Sequence, residues 1–169
     1  HFTNPEIKVG IIKLPSISNF SDFDPLENEE SIFIEWIKES QNLEEYDFII
    51  LPGSKQTIKD QIFLKNSGLS QNIREYSNKN GNIIGICGGL QMLGTLLEDP
   101  FLKEGSKTLS EQKISGIGLL PLKTTFFERK LTRQINCESV WPCHSKINGF
   151  EIHNGQTQLD NTHNSLKIS

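Results

Sequence analysis

The sequence lacks the features that mark several specialised classes of protein. None of its apolar runs approaches the roughly 20 residues of a membrane-spanning helix. Its first residues contain no apolar core of the kind found in a secretory signal peptide. Its net charge of −4 has the wrong sign for a nucleic-acid-binding surface. We therefore expect neither membranes nor nucleic acids among its partners.

Cysteine is scarce, with three residues at positions 87, 137 and 143, an odd number that does not suit a disulfide framework. We therefore expect a reducing, cytoplasmic environment. Cys137, Cys143 and His144 lie close together in the sequence, but they do not have the spacing of paired metal ligands and no second pair accompanies them. No metal site is predicted.

An initiating methionine is also absent, since the sequence begins at His1. We interpret the sequence as a piece of a longer chain or as one that carries a processed tag. Its 169 residues, 35% hydrophobic and 22% charged, suit a single globular domain with a sizeable core.

The first part of the sequence alternates between apolar strands and amphipathic stretches. Strands are predicted at residues 7–12, 31–37, 46–51 and 83–86, and helices at 57–66, 70–78 and 90–97. The segment 31–37 is also compatible with a short helix, but its isoleucines and aromatics favour a strand. Residues 16–30 are polar and are predicted to form a long loop.

The second part of the sequence is richer in strand patterns. Short strands are predicted at residues 116–122, 124–127, 136–141 and 149–153, and the polar tail at 156–169 is predicted to be poorly ordered. Strand–helix alternation followed by a β-rich segment predicts an α/β fold. We expect a mostly parallel sheet flanked by helices, with an antiparallel β extension.

The most informative feature is Cys87, which follows an apolar stretch and precedes two glycines and a helical pattern. A strand, a tight turn and a helix with a reactive residue at the turn form a nucleophile elbow. Gly85 and Gly89 leave room for the strand and the helix to approach, and Gly88 lets the backbone pass close to a substrate. The helix start favours a thiolate. The alternative is a buried structural cysteine beside a convenient turn.

A second strand end is marked by Pro52, Gly53 and Ser54, which break the apolar run before them. Open parallel sheets carry their sites at the carboxyl ends of strands. We therefore expect backbone N–H groups of this turn and of Gly88 to converge on one oxyanion. The alternative is an ordinary loop.

Five segments carry a resemblance to a known family. The runs LPGSKQT from Leu51 and GICGGLQMLG from Gly85 resemble class I (triad) glutamine amidotransferases of the cobyrinate-amidating branch. The runs LPSISNFSDFDPL from Leu14, GIGLLP from Gly116 and GFEIHNG from Gly149 are similar to the amidotransferase domain of cobyric acid synthases. The resemblance extends from about residue 7 to residue 157. It implies a flavodoxin-like, class I glutamine amidotransferase fold.

The resemblance also implies roles for individual residues. Cys87 would attack the side-chain amide of glutamine, and the N–H groups of Gly88 and of the Gly53–Ser54 turn would hold the oxyanion. Gln91 is assigned to the same group of oxyanion and substrate-binding residues. Ammonia would leave, and water would hydrolyse the glutamyl thioester.

The same resemblance implies partners outside this segment. In the family, an N-terminal ATP-dependent synthetase domain activates carboxylates of a corrinoid, which ammonia converts to amides. ATP and Mg²⁺ are expected only for that domain, and no cofactor is expected here. We expect the 169 residues to be a fragment that lacks the synthetase domain and the extreme C-terminus.

The general base is the element of the site at which the sequence departs from the family pattern. The family carries its catalytic histidine in a Tyr-x-His-Gly-like segment near the C-terminus, and none follows His153. His153 is a candidate for the base or for a residue of the site architecture, and Glu151 is a candidate to orient a histidine. His1, His144 and His163 are expected to have no catalytic role. We expect the base to lie beyond this segment.

Other interpretations stay open at this point. They are the glutaminase subunit of a cell-wall precursor amidotransferase, a cobyrinate a,c-diamide synthase, a cysteine hydrolase of another substrate, and a non-catalytic flavodoxin-like binding module. The segment 19–26 argues against the first, and the second has a different sequence where segment 14–26 resembles cobyric acid synthases.

Overall fold

The computed structural model describes residues 7–140 and 143–160. The strands are β1 (Ile7–Ile12), β2 (Ile32–Ile37), β3 (Phe48–Leu51), β4 (Asn82–Gly85), β5 (Leu96–Glu98), β6 (Lys113–Ser115), β7 (Leu122–Ser139) and β8 (Ser145–Leu159). The α-helices are α1 (Asp24–Glu27), α2 (Thr57–Asn66), α3 (Leu69–Asn78) and α4 (Gly88–Met92), and 3₁₀ turns span Ser21–Phe23 and Leu109–Gln112.

The first four strands form a parallel sheet in the order β2-β1-β3-β4. Their sequences are nearly continuous runs of isoleucine, valine and leucine, because a parallel sheet is covered on both faces. Ile11, Ile49 and Leu51 are fully buried at its centre. The α/β architecture and the strand predicted at 31–37 are both confirmed.

Helices α2 and α3 cover part of this sheet. Ile58 and Leu64 of α2 and Ile73 of α3 are fully buried, and burying each such side chain stabilises the fold by about 1.5–3 kcal/mol. Gly68 joins the two helices with a φ of +82°, the left-handed conformation that commonly ends a helix. The predicted helices at 57–66 and 70–78 are confirmed, the second beginning one residue earlier.

The second sheet has the order β6-β5-β7-β8, in which β5 and β7 are parallel and the other pairs are antiparallel. Strands β7 and β8 form one long hairpin, paired from Leu122–Leu159 at its base to Ser139–Ser145 at its tip. The pairing is irregular between Phe126 and Leu131. The short strands predicted at 124–127 and 149–153, and the described part of that at 136–141, are therefore segments of two long strands.

The predicted helix at 90–97 is wrong beyond Met92. The chain leaves the helix because Thr95 donates its N–H to the carbonyl of Leu122 at 2.7 Å, and β5 then begins at Leu96. A Cβ on Gly94 would lie 2.5 Å from that same carbonyl oxygen, so the two segments touch through backbone. This long-range contact overrides the apolar periodicity on which the prediction rested.

The predicted strand at 116–122 is also wrong, since only Leu122 lies in a strand. Ile117 donates its N–H to Met92, Gly118 to Gly94, and Leu119 and Leu120 to Leu93. The segment thus satisfies carbonyl groups that the end of helix α4 leaves without intrahelical partners. An apolar run can serve this capping purpose as well as it can form a strand.

Two predictions of irregular structure are wrong in part. The loop predicted at 16–30 contains the Ser21–Phe23 turn and α1, and Phe23 is buried with its ring edge-on to Trp36 at 5.4 Å. The tail predicted to begin at 156 continues β8 to Leu159, where Thr157 shares a hydroxyl hydrogen bond with Thr124. Residues 161–169 lie outside the described residues.

Candidate active site

Cys87 lies at the turn between β4 and α4 with a φ of 50° and a ψ of −110°. A residue with a side chain seldom adopts such a backbone, and the strain costs about 1–3 kcal/mol. The turn is held by hydrogen bonds from Ile86 N–H to Leu51 O at 3.0 Å and from Gly89 N–H to Ile86 O at 2.8 Å. The thiol is exposed. The structure therefore matches an elbow and does not match the alternative of a buried structural cysteine.

The glycines around Cys87 are explained by close contacts. A Cβ on Gly89 would lie 1.9 Å from the carbonyl oxygen of Leu51, and one on Gly85 would lie 2.8 Å from the Cα of Leu90. A Cβ on Gly88 would lie 3.0 Å from the backbone nitrogen of Ser54. Strand β3, the turn after it and the start of α4 can meet this closely only where no side chain intervenes.

The Pro52–Ser54 turn lies beside the elbow, as expected for the ends of adjacent parallel strands. A Cβ on Gly53 would be 3.7 Å from the Cβ of Cys87. The backbone N–H groups of Ser54 and Gly88 donate no hydrogen bond to another of the described residues. Two donors are thus available next to the thiol, which is the arrangement an oxyanion requires.

A neighbouring segment supports the turn from its other side. Ser18 donates its N–H to Gly53 O at 2.8 Å, and Lys55 donates its N–H to Ser16 O at 2.8 Å. Ile17 and Ser54 form an antiparallel bridge between these bonds. The carbonyl of Gly53 and the N–H of Lys55 are therefore engaged in the bridge, and the intervening N–H of Ser54 is not.

Cys87 lines an open cleft of about 720 Å³ between the elbow and the hairpin. Its other walls are Leu90 and Gln91 of α4, Phe127, Arg129 and Leu131 of β7, and residues 151–157 of β8. A smaller adjoining cleft of about 360 Å³ is also lined by Cys87 and reaches Ser18, Ser54, Lys55 and Glu104. The site thus combines a thiol and side chains of both charges.

Gln91 lies on the short helix α4 and contacts the backbone of Cys87. It is 9% exposed, lines both clefts and donates its N–H to the carbonyl of Cys87 at 3.1 Å. A Cβ on Gly155 would lie 2.8 Å from the Gln91 side-chain nitrogen, so that glycine leaves space for the amide. The amide offers one acceptor and two donors at the cleft.

His153 lines both clefts, but hydrogen bonds engage its two ring nitrogens. Nε2 faces Glu151 Oε1 at 2.7 Å, and Nδ1 faces the carbonyl oxygen of Gly155 at 2.6 Å. Hydrogen bonds from His153 and Arg133 lower the pKa of Glu151, so that side chain is an ionised acceptor. Both ring nitrogens of His153 thus face oxygen atoms of β8, and neither is hydrogen-bonded to the Cys87 thiol. This geometry favours a role in the site architecture over the role of base.

His144, the other histidine among the described residues, does not line either cleft. His144 lies at the hairpin tip with Nδ1 3.6 Å from Glu138 Oε1, and its side chain is 72% exposed. His1 and His163 lie outside the described residues. Within residues 7–140 and 143–160, His153 is the only histidine on the walls of the two clefts that contain Cys87.

Glu104 is a site residue that sequence reasoning missed. Its Oε2 accepts the N–H of Thr57 at 3.0 Å, and its backbone carbonyl accepts those of Ile58 and Lys59. Its Oε1 accepts the side-chain amide of Asn154 at 3.2 Å. One residue thereby caps the start of α2 and links it to β8 across the cleft. The sequence gives no signal for this, because a glutamate between lysine and glycine is typical of a solvated loop.

Two exclusions made from the sequence can be compared with the structure. Cys137, Cys143 and His144 are exposed on the outer part of the hairpin. In the described part of the chain, no three His, Cys, Asp or Glu side chains are grouped so that they could hold a metal ion. None of the helices described is both long and apolar enough to cross a membrane.

Comparison with known proteins identifies the family. The sequence profile of the CobB/CobQ-like glutamine amidotransferase domain matches residues 8–168. The chain belongs to this family. The family resemblance drawn from the elbow and the Pro-Gly turn is thereby confirmed.

Individual relatives agree with this assignment. The chain is 84% identical over 168 residues to a cobyric acid synthase of Prochlorococcus marinus strain MIT 9312, covering 99% of this chain and 33% of that protein. It is 51% identical over 164 residues to a cobyric acid synthase of strain NATL2A, covering 97% of this chain and 32% of that protein. This amidotransferase domain thus spans about a third of the length of the curated relatives it matches.

A solved structure shares the fold at low sequence similarity. A chain in the structure of PurLQS from Thermotoga maritima superimposes with a TM-score of 0.61 at 14% identity, covering 89% of this chain and 68% of that chain. At this identity, the likeness establishes the α/β fold alone.

Proposed function

We propose that Cys87 of this domain hydrolyses glutamine, and that the ammonia is used by a parent cobyric acid synthase to amidate corrinoid carboxylates. The observation that carries the glutaminase step is the exposed thiol on a strained elbow beside the unengaged N–H groups of Ser54 and Gly88. The 84% identity to a cobyric acid synthase supports the corrinoid as the final acceptor.

The first step forms a covalent bond to the substrate. The Cys87 sulfur attacks the side-chain amide carbon of glutamine, and the carbonyl electrons move to oxygen. The N–H groups of Ser54 and Gly88 donate hydrogen bonds to this oxyanion. Collapse breaks the carbon–nitrogen bond, and the nitrogen accepts a proton and leaves as ammonia. Water then hydrolyses the glutamyl thioester to glutamate and restores the thiol.

The proton transfers require a base that His153 does not supply in this geometry, since its ring nitrogens are hydrogen-bonded to Glu151 and Gly155 and not to the thiol. The proposal therefore takes the base from a histidine outside the described residues. His153, Glu151 and Gln91 shape the wall of the cleft and orient the substrate.

In this proposal, the remaining two thirds of the parent protein prepares the corrinoid carboxylates that accept the ammonia. An ATP-dependent synthetase unit activates the corrinoid carboxylates, and ATP and Mg²⁺ bind there. The domain described here needs glutamine and no cofactor of its own. We place the reaction in the cytoplasm, where three unpaired cysteines stay reduced.

The glutaminase step is tested by measuring ammonia release from glutamine by the 169-residue chain. We expect slow turnover that Cys87→Ser abolishes and that Cys137→Ser leaves unchanged. His153→Gln should lower the rate far less than Cys87→Ser does, because the histidine is not the base. Rapid turnover that disappears in His153→Gln would show that His153 is the base after all.

The acceptor is tested in the parent protein with glutamine labelled with ¹⁵N at its side-chain amide. Label in newly formed corrinoid amides that is lost in Cys87→Ser, with amidation restored in that variant by added ¹⁵N-labelled ammonia, would support the proposal. Release of labelled ammonia with no labelled corrinoid would support glutamine hydrolysis by this domain and would refute the corrinoid as the acceptor of the ammonia.

A further inference from the structure

Asp60 is a charged residue in an unusual position. It lies in the first turn of α2 and is 0% exposed. It forms no ion pair with any described residue, although buried carboxylates are commonly paired with a cation. A buried carboxylate without such a partner destabilises a fold unless specific hydrogen bonds compensate it.

Its hydrogen bonds lead directly to the turn beside Cys87. Asp60 Oδ2 accepts the hydroxyl of Ser54 at 2.6 Å, and Oδ1 accepts the backbone N–H of Ser16 at 3.1 Å. The same Ser54 hydroxyl oxygen accepts the N–H of Gln56 at 3.0 Å. One carboxylate thus joins the turn to the segment that bridges it.

The hydrogen bond between Ser54 and Asp60 affects the candidate site because of where Ser54 lies. Its N–H is unengaged and lies beside Gly88, whereas its hydroxyl donates a hydrogen bond to Asp60. Burial raises the pKa of Asp60, and the bonds from Ser54 and Ser16 oppose that shift, as does the nearby Lys59. The carboxyl group therefore stabilises one particular placement of the turn, at a cost in desolvation that an apolar residue would avoid.

We propose that Asp60 is a positioning residue for glutamine hydrolysis, which fixes the Ser54 N–H where the oxyanion forms. The proposal rests on the glutaminase function proposed above. A donor displaced by a fraction of an ångström still permits glutamine to bind but stabilises the transition state less well. Loss of Asp60 should therefore slow the chemical step and leave the binding of glutamine analogues nearly unchanged.

The test measures inactivation of the full chain by a glutamine-derived chloroketone, whose carbonyl becomes an oxyanion when the thiol attacks. At about pH 8.5, near the ordinary pKa of a free cysteine, a large fraction of such thiols is ionised without help from a general base. The maximal inactivation rate reports the chemical step, and the half-saturating concentration reports binding. Peptide mapping confirms that Cys87 is the residue labelled.

The variants are Asp60→Ala, Asp60→Asn, Ser54→Ala and the double variant Asp60→Ala with Ser54→Ala. Asp60→Asn keeps an acceptor for the Ser16 N–H and is the conservative rescue. Gln61→Leu is the matched control, because Gln61 is also 0% exposed on α2 but bonds to Ser115 O at 3.2 Å instead of to the turn. The melting temperature of each variant separates effects on folding from effects on the site.

We expect Asp60→Ala to lower the maximal inactivation rate about tenfold, with half-saturation changed by less than about twofold. Asp60→Asn should be intermediate, Ser54→Ala should resemble Asp60→Ala, and the double variant should be hardly worse than either. Gln61→Leu should lower the melting temperature without slowing inactivation.

Two results would overturn the proposal in distinguishable ways. Selective labelling of Cys87 at an unchanged rate in folded Asp60→Ala and Ser54→Ala would refute the role of Asp60 alone. Equal labelling of the three cysteines in the unaltered chain would refute the proposed glutaminase, and the role of Asp60 with it.

Discussion

The two sheets of this domain differ in how tightly they hold their residues. In the parallel sheet, the strand ends after β3 and β4 meet so closely that Gly89 leaves no room for a methyl group. In the long hairpin of the second sheet, a methyl group on Gly149 would meet nothing within 4 Å, and Phe150 beside it is 70% exposed. The thiol and its neighbouring N–H groups are therefore placed by the closely packed parallel sheet, whereas the hairpin supplies one wall of the cleft.

The three cysteines allow the two sheets to be compared by chemical labelling, because all of them are exposed. Cys87 lies in the elbow at the end of the parallel sheet, and Cys137 and Cys143 lie on the hairpin. Access to solvent therefore does not distinguish the thiols, and iodoacetamide is a poor probe of the site. A reagent that must also fit beside the Ser54 and Gly88 N–H groups should distinguish them.

The largest expected effect is selective labelling of Cys87 by a glutamine-derived chloroketone. We expect Cys87 to react on the order of a hundredfold faster than Cys137 or Cys143, since only Cys87 has binding walls and oxyanion donors. Mass mapping of peptides from partly labelled protein measures the three rates. Excess glutamine should protect Cys87 alone, and equal rates without protection would contradict the comparison.

The next largest effect concerns the two glycines. Gly89→Ala should destabilise the fold by about 1–3 kcal/mol or more, because the new Cβ would lie 1.9 Å from the Leu51 carbonyl oxygen. Gly149→Ala is the matched control and should change the free energy of unfolding by no more than about 1 kcal/mol. Urea titration of both variants measures the difference. Similar losses in the two would show that the hairpin is as tightly packed as the elbow.

A third prediction concerns the turn itself. Gly53→Val should slow chloroketone inactivation by about tenfold while leaving most of the stability, because a Cβ there points to Ser18 Oγ at 3.2 Å and Cys87 Cβ at 3.7 Å. Gly53 is not among the residues with positive φ, so the reason is contact and not backbone strain. Gly53→Ala should have a smaller effect. Normal inactivation of the valine variant would exclude the turn from the site.

The smallest expected effect is a pair of opposite pH dependences. Burial raises the pKa of Asp60, so its contribution to stability is fully present below its unfolded pKa of about 3.9 and is lost as the pH rises through the folded value. Hydrogen bonds from Lys123 and Lys113 lower the pKa of Glu98, whose contribution is present above about 4.3 and lost as the pH falls.

Asp60→Asn and Glu98→Gln should each remove one of these slopes. Unfolding by urea at several pH values between about 3 and 7 measures them. The Asn variant should lose the decline in stability above about pH 4, and the Gln variant should lose the decline below it. Slopes of the same sign in both would mean that Asp60 has a partner charge in solution.

The family, the four parallel strands and the elbow could all be predicted from the sequence. Strands β1 and β3 can be recognised in the sequence because burial on both faces requires a continuous apolar run. Helix α2 can be recognised because burial of one stripe gives a periodic apolar pattern. Cys87 and the Pro52–Ser54 turn are visible because their glycines interrupt that pattern at adjacent strand ends. All of this information is local in the chain, apart from the rule that parallel strands end at the same edge.

Three features came from the folded structure: the end of helix α4, its capping by residues 117–120, and the pairing of β7 with β8 in one hairpin. Each depends on hydrogen bonds between residues far apart in the chain, such as Thr95 with Leu122 and Ile117 with Met92. The roles of Glu104 and Asp60 were hidden for the same reason. From the sequence, a single acidic residue is predicted to be exposed to solvent. The N–H and O–H groups that surround it once it is buried come from distant segments, and the sequence does not identify them.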